Sequence, residues 1–349
     1  MLIYDLADPQ ELQGFVRGVQ RERDENDFVL SQFLPNQNID ELEWRITQGE
    51  FRDEDVAPYR AWDTEAAIGG RQGVRRLMGE LPPLSKKYQL GEEARLRRRM
   101  LDRGGDNAEL VRIIFDDAAK GARSVSARLE LARGEVLFTA ALDLRTFARG
   151  GIDRINQDAI DFERDPSHSV AAATPWSNHS VNALTEELAW RTTYRTTNGI
   201  DPGLALVSET IITHLLLNEQ YRELATYNGI TPAFLNLAQL NQVRSAHRLP
   251  PLVAYDTKVR VEGIHIRVTP EDKMLYLPPA GQPLGRTFSG TTAEALELAE
   301  ANQIATDQIP GMTAVVEKTF DPVATWTKVS AIAIPTLMNP DLTLVADVL

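Results

Sequence analysis

Five histidines, His168, His179, His214, His247 and His265, carry the side chains best suited to acid–base or metal chemistry at neutral pH. No two of them fall at the H-x-x-x-H spacing that sets two ligands on one helix face, so the spacing supports no metal centre. His265 lies in an alternating apolar run and reads as a strand surface residue. His168 and His179 flank a polar stretch with no evident carboxylate partner. The chain contains no cysteine, which excludes thiolate nucleophiles, thiolate zinc, iron–sulfur clusters and disulfides. Neither a G-x-S-x-G elbow nor a G-x-x-x-x-G-K-[ST] loop occurs. Gly69-Gly70-Arg71-Gln72-Gly73 is glycine-rich but lacks a strand before it and a helix after it, so it reads as a turn and not a phosphate cradle. Asp53-Glu54-Asp55 and Asp116-Asp117 are sequence neighbours, which on a helix do not face one another. Arg97-Arg98-Arg99 could touch phosphate, but pairing with acidic segments is the better reading. The expectation is no catalytic, cofactor-binding or metal-binding residue, and no enzyme.

The elements that would position any site belong to a 349-residue chain with 43% hydrophobic residues, enough for about two domains and a sizeable core. Its net charge of −13 argues against a surface that coats nucleic acid. The start lacks a basic region followed by an apolar run, and no window reaches the ~20 apolar residues of a membrane span. A soluble protein made in the cytoplasm is expected.

Asp8-Pro9 with Glu11 predicts a helix start, with Leu12, Phe15, Val16 and Val19 at helical spacing. That stripe is too narrow to be a core and needs a surface to cover it. Asp106 with Glu109 predicts the N-terminus of a long helix over 106–132, roughly 40 Å in length. Its stripe is Val111, Ile114, Ala118, Ala122, Val125, Leu129 and Ala132, and Gly134 reads as its stop. Glu135 to Leu144 then reads as a strand. A second helical region opens at Trp176-Ser177-Asn178 and continues through Val181, Leu184, Leu188, Arg191 and Tyr194. Further helices are expected over Thr210–Asn218, Glu219–Tyr227 and from Thr231-Pro232 onward. The period then changes to two, with a hairpin around Glu262-Gly263 and strands at Met274–Leu277, Thr313–Thr319, Thr327–Ile334 and Leu342–Val348. Helices segregated from a mostly antiparallel sheet define an α+β class.

Residues 24–90 carry many prolines and glycines and few apolar residues, which suits an arm and loop reaching onto other chains. Trp44, Tyr59 and Trp62 then need burial from outside. Charge is segregated as well: residues 1–50 hold four bases and eleven acids, net −7, and residues 60–103 hold eleven bases and six acids, net +5. Adjacent blocks of opposite sign suit docking between identical copies.

Five stretches together resemble the major capsid protein E family of tailed bacteriophages, which has the Hong Kong 97-type fold. They are Glu92-Glu93-Ala94-Arg95-Leu96-Arg97-Arg98-Arg99-Met100, Thr174-Pro175-Trp176-Ser177, and Asn198-Gly199-Ile200-Asp201-Pro202. The fourth joins Asp272–Pro278 with Leu284–Gly290. The fifth is Glu317–Pro322 followed by Pro335, Leu337 and Asn339-Pro340-Asp341. Their order and spacing cover about residues 40–349.

The resemblance implies an N-terminal arm at 1–45 and an extended loop at 46–90. It implies a peripheral domain at 91–170 and 312–349, with the 106–132 helix as spine, and an axial domain at 171–311. It further implies a virion structural protein that self-assembles as hexamers and pentamers into an icosahedral head around packaged DNA, bound without sequence specificity. A separate scaffold protein, a portal and a decoration protein are the implied partners, with no membrane and no cofactor. Contacts between copies would use Arg71, Arg75, Arg76, Arg97, Arg98 and Arg99 against Asp24, Glu25, Asp27, Asp40, Glu41 and Glu43, with Trp44 and Trp62 as anchors. Some relatives join a loop lysine to a neighbour's asparagine; Lys86 or Lys87 with Asn339 would be that pair here. An encapsulin-like compartment shell and a soluble α+β enzyme are the alternative readings.

Overall fold

The computed structural model describes residues 7–49, 57, 59–65, 74–94, 96, 108–144, 159–226, 229–282, 284–305 and 309–349. In chain order its first elements are α1 (Pro9–Asn26), β1 (Asn36–Asn38), β2 (Glu43–Gly49), β3 (Val74–Glu80), β4 (Pro83–Leu90), α2 (Ala108–Thr139), β5 (Ala141–Leu142), β6 (Ile160–Asp161) and β7 (Ser169–Ala171). Then come α3 (Ala183–Asn198), β8 (Leu204–Val207), α4 (Glu209–Leu217), α5 (Glu219–Leu224), α6 (Leu237–Ala246), β9 (Leu252–Ala254), β10 (Lys258–Val261), β11 (Ile264–Arg267) and β12 (Lys273–Leu277). The last are β13 (Gly285–Ser289), α7 (Ala293–Glu300), β14 (Thr313–Phe320), β15 (Val323–Leu337) and β16 (Leu344–Asp347). Two compact units result, one from Met1–Arg45, Met78–Arg133 and Arg286–Thr336, the other from Ile46–Leu77, Gly134–Gly285 and Leu337–Leu349.

The first unit is built on the fifteen-residue strand β15. Antiparallel β14 pairs along Val323–Ser330 on one side and antiparallel β4 along Thr325–Ile332 on the other. The sheet continues from β15 to β13 and then to β1, which runs parallel to β13. Helices α1 and α2 cover this sheet. Leu12, Val16 and Val19 of α1 and Ile114, Ala118, Ala122, Val125 and Leu129 of α2 pack on Ala314, Val316, Val329, Ala331 and Ala333. The covering surface that the α1 stripe needs is therefore supplied by its own chain. Asp8 caps α1 by accepting the Gln10 N–H, with Pro9 in the first turn. The Gln13 amide then pairs with the backbone of Ala314, donating at 2.7 Å and accepting at 3.2 Å, as a strand residue would.

Small residues let α2 lie close to the sheet. A Cβ on Gly121 would sit 2.5 Å from Val329 Cγ2 and 2.9 Å from its Cβ. Further along, Arg133 is fully buried and gathers four partners. It donates to Asp24 (3.1 Å), Glu130 (3.1 Å), Asn36 (2.7 Å) and Thr287 Oγ1 (3.1 Å). Glu130, also fully buried, accepts the Leu30 N–H at 3.1 Å. One guanidinium thus ties α1, the loop after it, β1, β13 and α2. The sequence reading placed Asp24 among acids offered to other copies; instead it is spent on this buried cation, whose desolvation Asp24 and Glu130 together offset.

The long helix ends at Thr139 and not at 132, so the strand expected over 135–144 is helix in its first half and strand only at Ala141-Leu142. Gly134 does not stop the helix. It is a close-approach residue, since a Cβ there would meet the Val268 carbonyl oxygen at 2.8 Å. Val136, Leu137 and Phe138 are all buried, which a strand with one wet face would not require. The stop comes from Arg164, which donates to the carbonyls of Leu137 and Phe138, and from Ala140 in left-handed conformation (φ 53°).

The second unit centres on a sheet ordered β7-β16-β12-β8-β9, antiparallel at β16–β12 and β12–β8 and parallel at both ends. Met274 to Leu277 of β12 are all buried, as a strand covered on both faces requires. Trp176, Trp190, Tyr194, Ile211, Leu215, Leu240 and Leu344 complete its core. Helix α3 begins at Ala183, seven residues after the Trp176 start expected, and α6 begins at Leu237 behind an Asn236–Gln239 capping box and not at Thr231-Pro232. The expected hairpin is present as β10–β11, a two-stranded ribbon turning at Glu262-Gly263. Strands β2 and β3 form a second ribbon in which Trp44 is buried against Gly79, whose Cβ would stand 3.0 Å from the indole.

Two substitutions test this packing in denaturant unfolding. Gly121→Ala gains ~1 kcal/mol of helix propensity but must displace Val329, at about 1–3 kcal/mol, so its midpoint falls; a rise would contradict the close approach. Arg133→Met strands two carboxylates and lowers stability by about 3–5 kcal/mol, whereas Arg112→Ala on an exposed face leaves the midpoint in place. Equal behaviour of the two arginine variants would contradict the hub.

Candidate contact surfaces and buried ion clusters

The residues expected at contacts between copies divide into three groups. Arg71, Arg97, Arg98 and Arg99 lie outside the described residues. A second group is engaged within the chain. Asp24 is on Arg133, Asp27 on Arg23 at 2.8 Å, Glu43 on Arg45 at 3.2 Å with Glu41 at 4.0 Å, and Arg75 on Glu163 at 2.5 Å. Lys87 meets Glu317 at 3.1 Å and lies over the Trp326 ring at 4.4 Å. Trp44 is 1% exposed, so it is a core residue of its own ribbon and offers no anchor to another chain. A third group faces solvent: Glu25, Asp40, Arg76, Lys86 and Trp62. Trp62 is 96% exposed, and Tyr59 beside it is wholly exposed. A turn closed by Arg60 donating to the Thr64 carbonyl at 2.6 Å holds Trp62 outward. Asn339 donates its N–H to Leu284 O at 3.1 Å, so its backbone is fixed in the second unit.

The surface pairs are mostly half-exposed, and such pairs contribute little to stability. They remain available to exchange partners when another charged surface arrives. An open polar groove of about 660 Å³ lies in the first unit, lined by Arg17, Arg21, Asp24, Glu25, Asn36 and Asn38 among others. It brings together no nucleophile with a base. Among the described residues no three potential metal ligands converge, and no helix is long and apolar enough to cross a membrane.

The second unit contains two ion clusters that the sequence reading missed. Glu187 and Arg244 are both fully buried and paired, with Tyr221 and Tyr276 each donating to the Glu187 carboxylate at 2.7 Å. Arg244 Nε donates to Pro250 O at 3.0 Å. Burial works against the Arg244 charge, yet Glu187 and the two tyrosines outweigh it and raise its proton affinity. Burial, then the Glu187 charge, pushes both tyrosine hydroxyls well above their ordinary 10.0. Arg244 and the two tyrosines stay protonated near neutrality, and with Glu187 they lock α3, α5, α6 and β12 together. A signal existed: Leu184, Glu187, Trp190 and Tyr194 share the buried face of α3. The sequence reading centred that face on Leu188 and Arg191 instead, one position off, which left the glutamate on the wet side.

Arg164 is the second cluster. Besides the two helix carbonyls, it donates to Thr343 Oγ1 at 2.8 Å. Burial lowers its pKa to about 10, with Asp341 opposing, and it stays charged at neutral pH. His168 is likewise buried, with Nδ1 3.0 Å from Thr343 O. His179 and His214 meet at 3.2 Å; burial, then His179, lowers His214 from its ordinary 6.5. Thus three of the five histidines are tied into structure. His265 lies on β11 and is exposed, as read.

Comparison with known proteins supplies the frame for these surfaces. The family model described as phage major capsid protein E matches residues 19–348. A putative capsid protein of a prophage from E. coli CFT073 is similar in structure at 11% identity and TM-score 0.59, over 98% of this chain and 99% of that one. A phage-related protein from Bordetella bronchiseptica RB50 is similar at 12% identity and TM-score 0.54, over 97% and 96%. The mature capsid of bacteriophage PhiM1 is similar at 8% identity and TM-score 0.50, over 92% and 87%. No curated protein compared matches the sequence. The structural likenesses establish a Hong Kong 97-type phage capsid fold. With the family model spanning nearly the whole length, the chain belongs to the phage major capsid protein E family.

Proposed function

We propose that copies of this chain close, as hexamers and pentamers, into the icosahedral head of a tailed phage, and that they work by assembly and catalyse no reaction. The observation that carries this reading is the family match over residues 19–348. Supporting it is a segment, 59–65, whose aromatics find no burial on their own chain. An exposed tryptophan on a fixed turn is the kind of anchor that interfaces enrich.

In this reading residues 1–45 are the arm, although α1 within it docks on its own chain, and 46–90 are the extended loop that overlaps a neighbour. Residues 91–170 and 312–349 form the peripheral domain and 171–311 the axial domain. The shell is made in the host cytoplasm on a separate scaffold, around a portal, with a decoration protein added outside. DNA fills a lumen whose wall does not read its sequence; the chain's net −13 keeps the wall from adhering to it.

Purified chain imaged by negative-stain electron microscopy would form closed particles. Arg75→Glu with Arg76→Glu would reduce particle yield by about tenfold or more, with an unchanged circular dichroism spectrum, because Arg76 is exposed and the Arg75–Glu163 pair lies at the surface. Normal particles from that variant would refute the docking role, and a wild-type chain that stays monomeric would refute the shell.

A further inference from the structure

We propose that the β10–β11 hairpin of one copy seats on an apolar rim formed by residues 217–226 and 229–237 of the next copy, so that this pair of surfaces closes the ring of the capsomer. The inference rests on the shell reading above and names the surfaces that would carry it.

The rim is one place in the fold. Leu235 donates its N–H to Leu216 O at 3.0 Å, Arg222 donates to Ala233 O at 3.1 Å, and the Thr226 and Thr231 hydroxyls meet at 2.9 Å. The segment before α6 is thereby clasped to the ends of α4 and α5. Leu235 points into the core, while Ile230 is 74% exposed and Phe234 69%. Leu217, Leu224 and Leu237 extend the apolar surface around them. Large apolar side chains left exposed together in one part of a fold mark an interaction site. Acidic side chains border it, with Glu219 and Glu223 both exposed.

The hairpin is complementary in both respects. Among the described residues its two strands pair with each other alone; its root packs on the chain through buried Val259 and Val268, the latter against Gly134, while Glu262 and Ile264 at the turn are exposed. Ile264, beside the turn, is 69% exposed. Lys258 and Arg260 are exposed on β10, while Arg267 is occupied by Asp256 at 2.5 Å and Glu271 at 2.6 Å, which anchors the root. The Lys258–Arg260 edge of the ribbon, with Ile264 beside a turn that carries the exposed Glu262, thus matches an acidic-edged apolar rim. Because the two surfaces differ, the contact is head-to-tail, and a head-to-tail contact closes a ring when its rotation allows. In a ring each copy makes the contact twice, once through its hairpin and once through its rim.

The absence of cysteine makes the test direct. Particles of the Phe234→Cys, Ile264→Cys double variant, oxidised and run on a non-reducing denaturing gel, should give a ladder ending at five or six chains. Each single variant should run as monomer. Particles that form but yield only monomer from the double variant overturn this contact and leave the shell reading standing; failure of the wild-type chain to form particles overturns both. In parallel, Lys258→Glu with Arg260→Glu should lower ring formation at least tenfold, and adding Glu219→Lys with Glu223→Lys should restore it. No loss, or a loss without rescue, goes against the pairing, as does a rim occupied by scaffold in place of a second copy.

Discussion

The fit of α2 onto β15 is the constraint on which the first unit depends. Without a side chain at Gly121 the helix reaches Val329 directly, and Ala118 and Ala122 keep the same face shallow. That approach sets where Arg133 enters the interior, and the guanidinium then dictates what must surround it. One carboxylate comes from the same helix, three residues away, while the second carboxylate, an amide and a hydroxyl come from three other segments far apart in sequence. A buried charge left without those partners would cost several kcal/mol, so the hub fixes the register of the arm helix and of β1 as firmly as the apolar contacts do. The second unit solves the same problem differently, with Glu187 and Arg244 sealed under two tyrosine hydroxyls.

These hubs mark where sequence reasoning ran out. Period-based reading located α1, the long helix, the hairpin at Glu262-Gly263 and the closing strands, because each carries a clean apolar stripe or alternation. It failed where tertiary contact overrides a local signal. Gly134 looked like a helix stop, but its missing side chain makes room for Val268, and the helix ends five residues later, where distant Arg164 donates to its terminal carbonyls. Asp24 looked like a solvated arm acid because nothing in its neighbourhood announces Arg133. Trp44 looked orphaned because its partner is a glycine, which leaves no apolar trace. Glu187 was missed through a one-residue error in the helix face. The resemblance to a family rested on scattered motifs and not on any site, and that part was legible in order and spacing alone.

What the chain leaves exposed matters as much as what it buries. Most of residues 7–49 fold onto their own chain, so the arm and loop reading of 24–90 is too broad. The need narrows to the turn at 59–65, where Tyr59 and Trp62 stand in solvent. A protein of a family that builds shells keeps such surface because its final burial takes place between copies. Buried hubs inside each unit and uncovered aromatics outside are then two halves of one design, in which contacts between copies complete what each chain leaves exposed.

Hydrogen exchange measured on free chain and on assembled particles tests that division most directly. The account predicts that residues 59–65 exchange freely in the isolated chain and become protected on assembly, while α2 is protected in both. Exchange at 59–65 that is identical in the two states would contradict it.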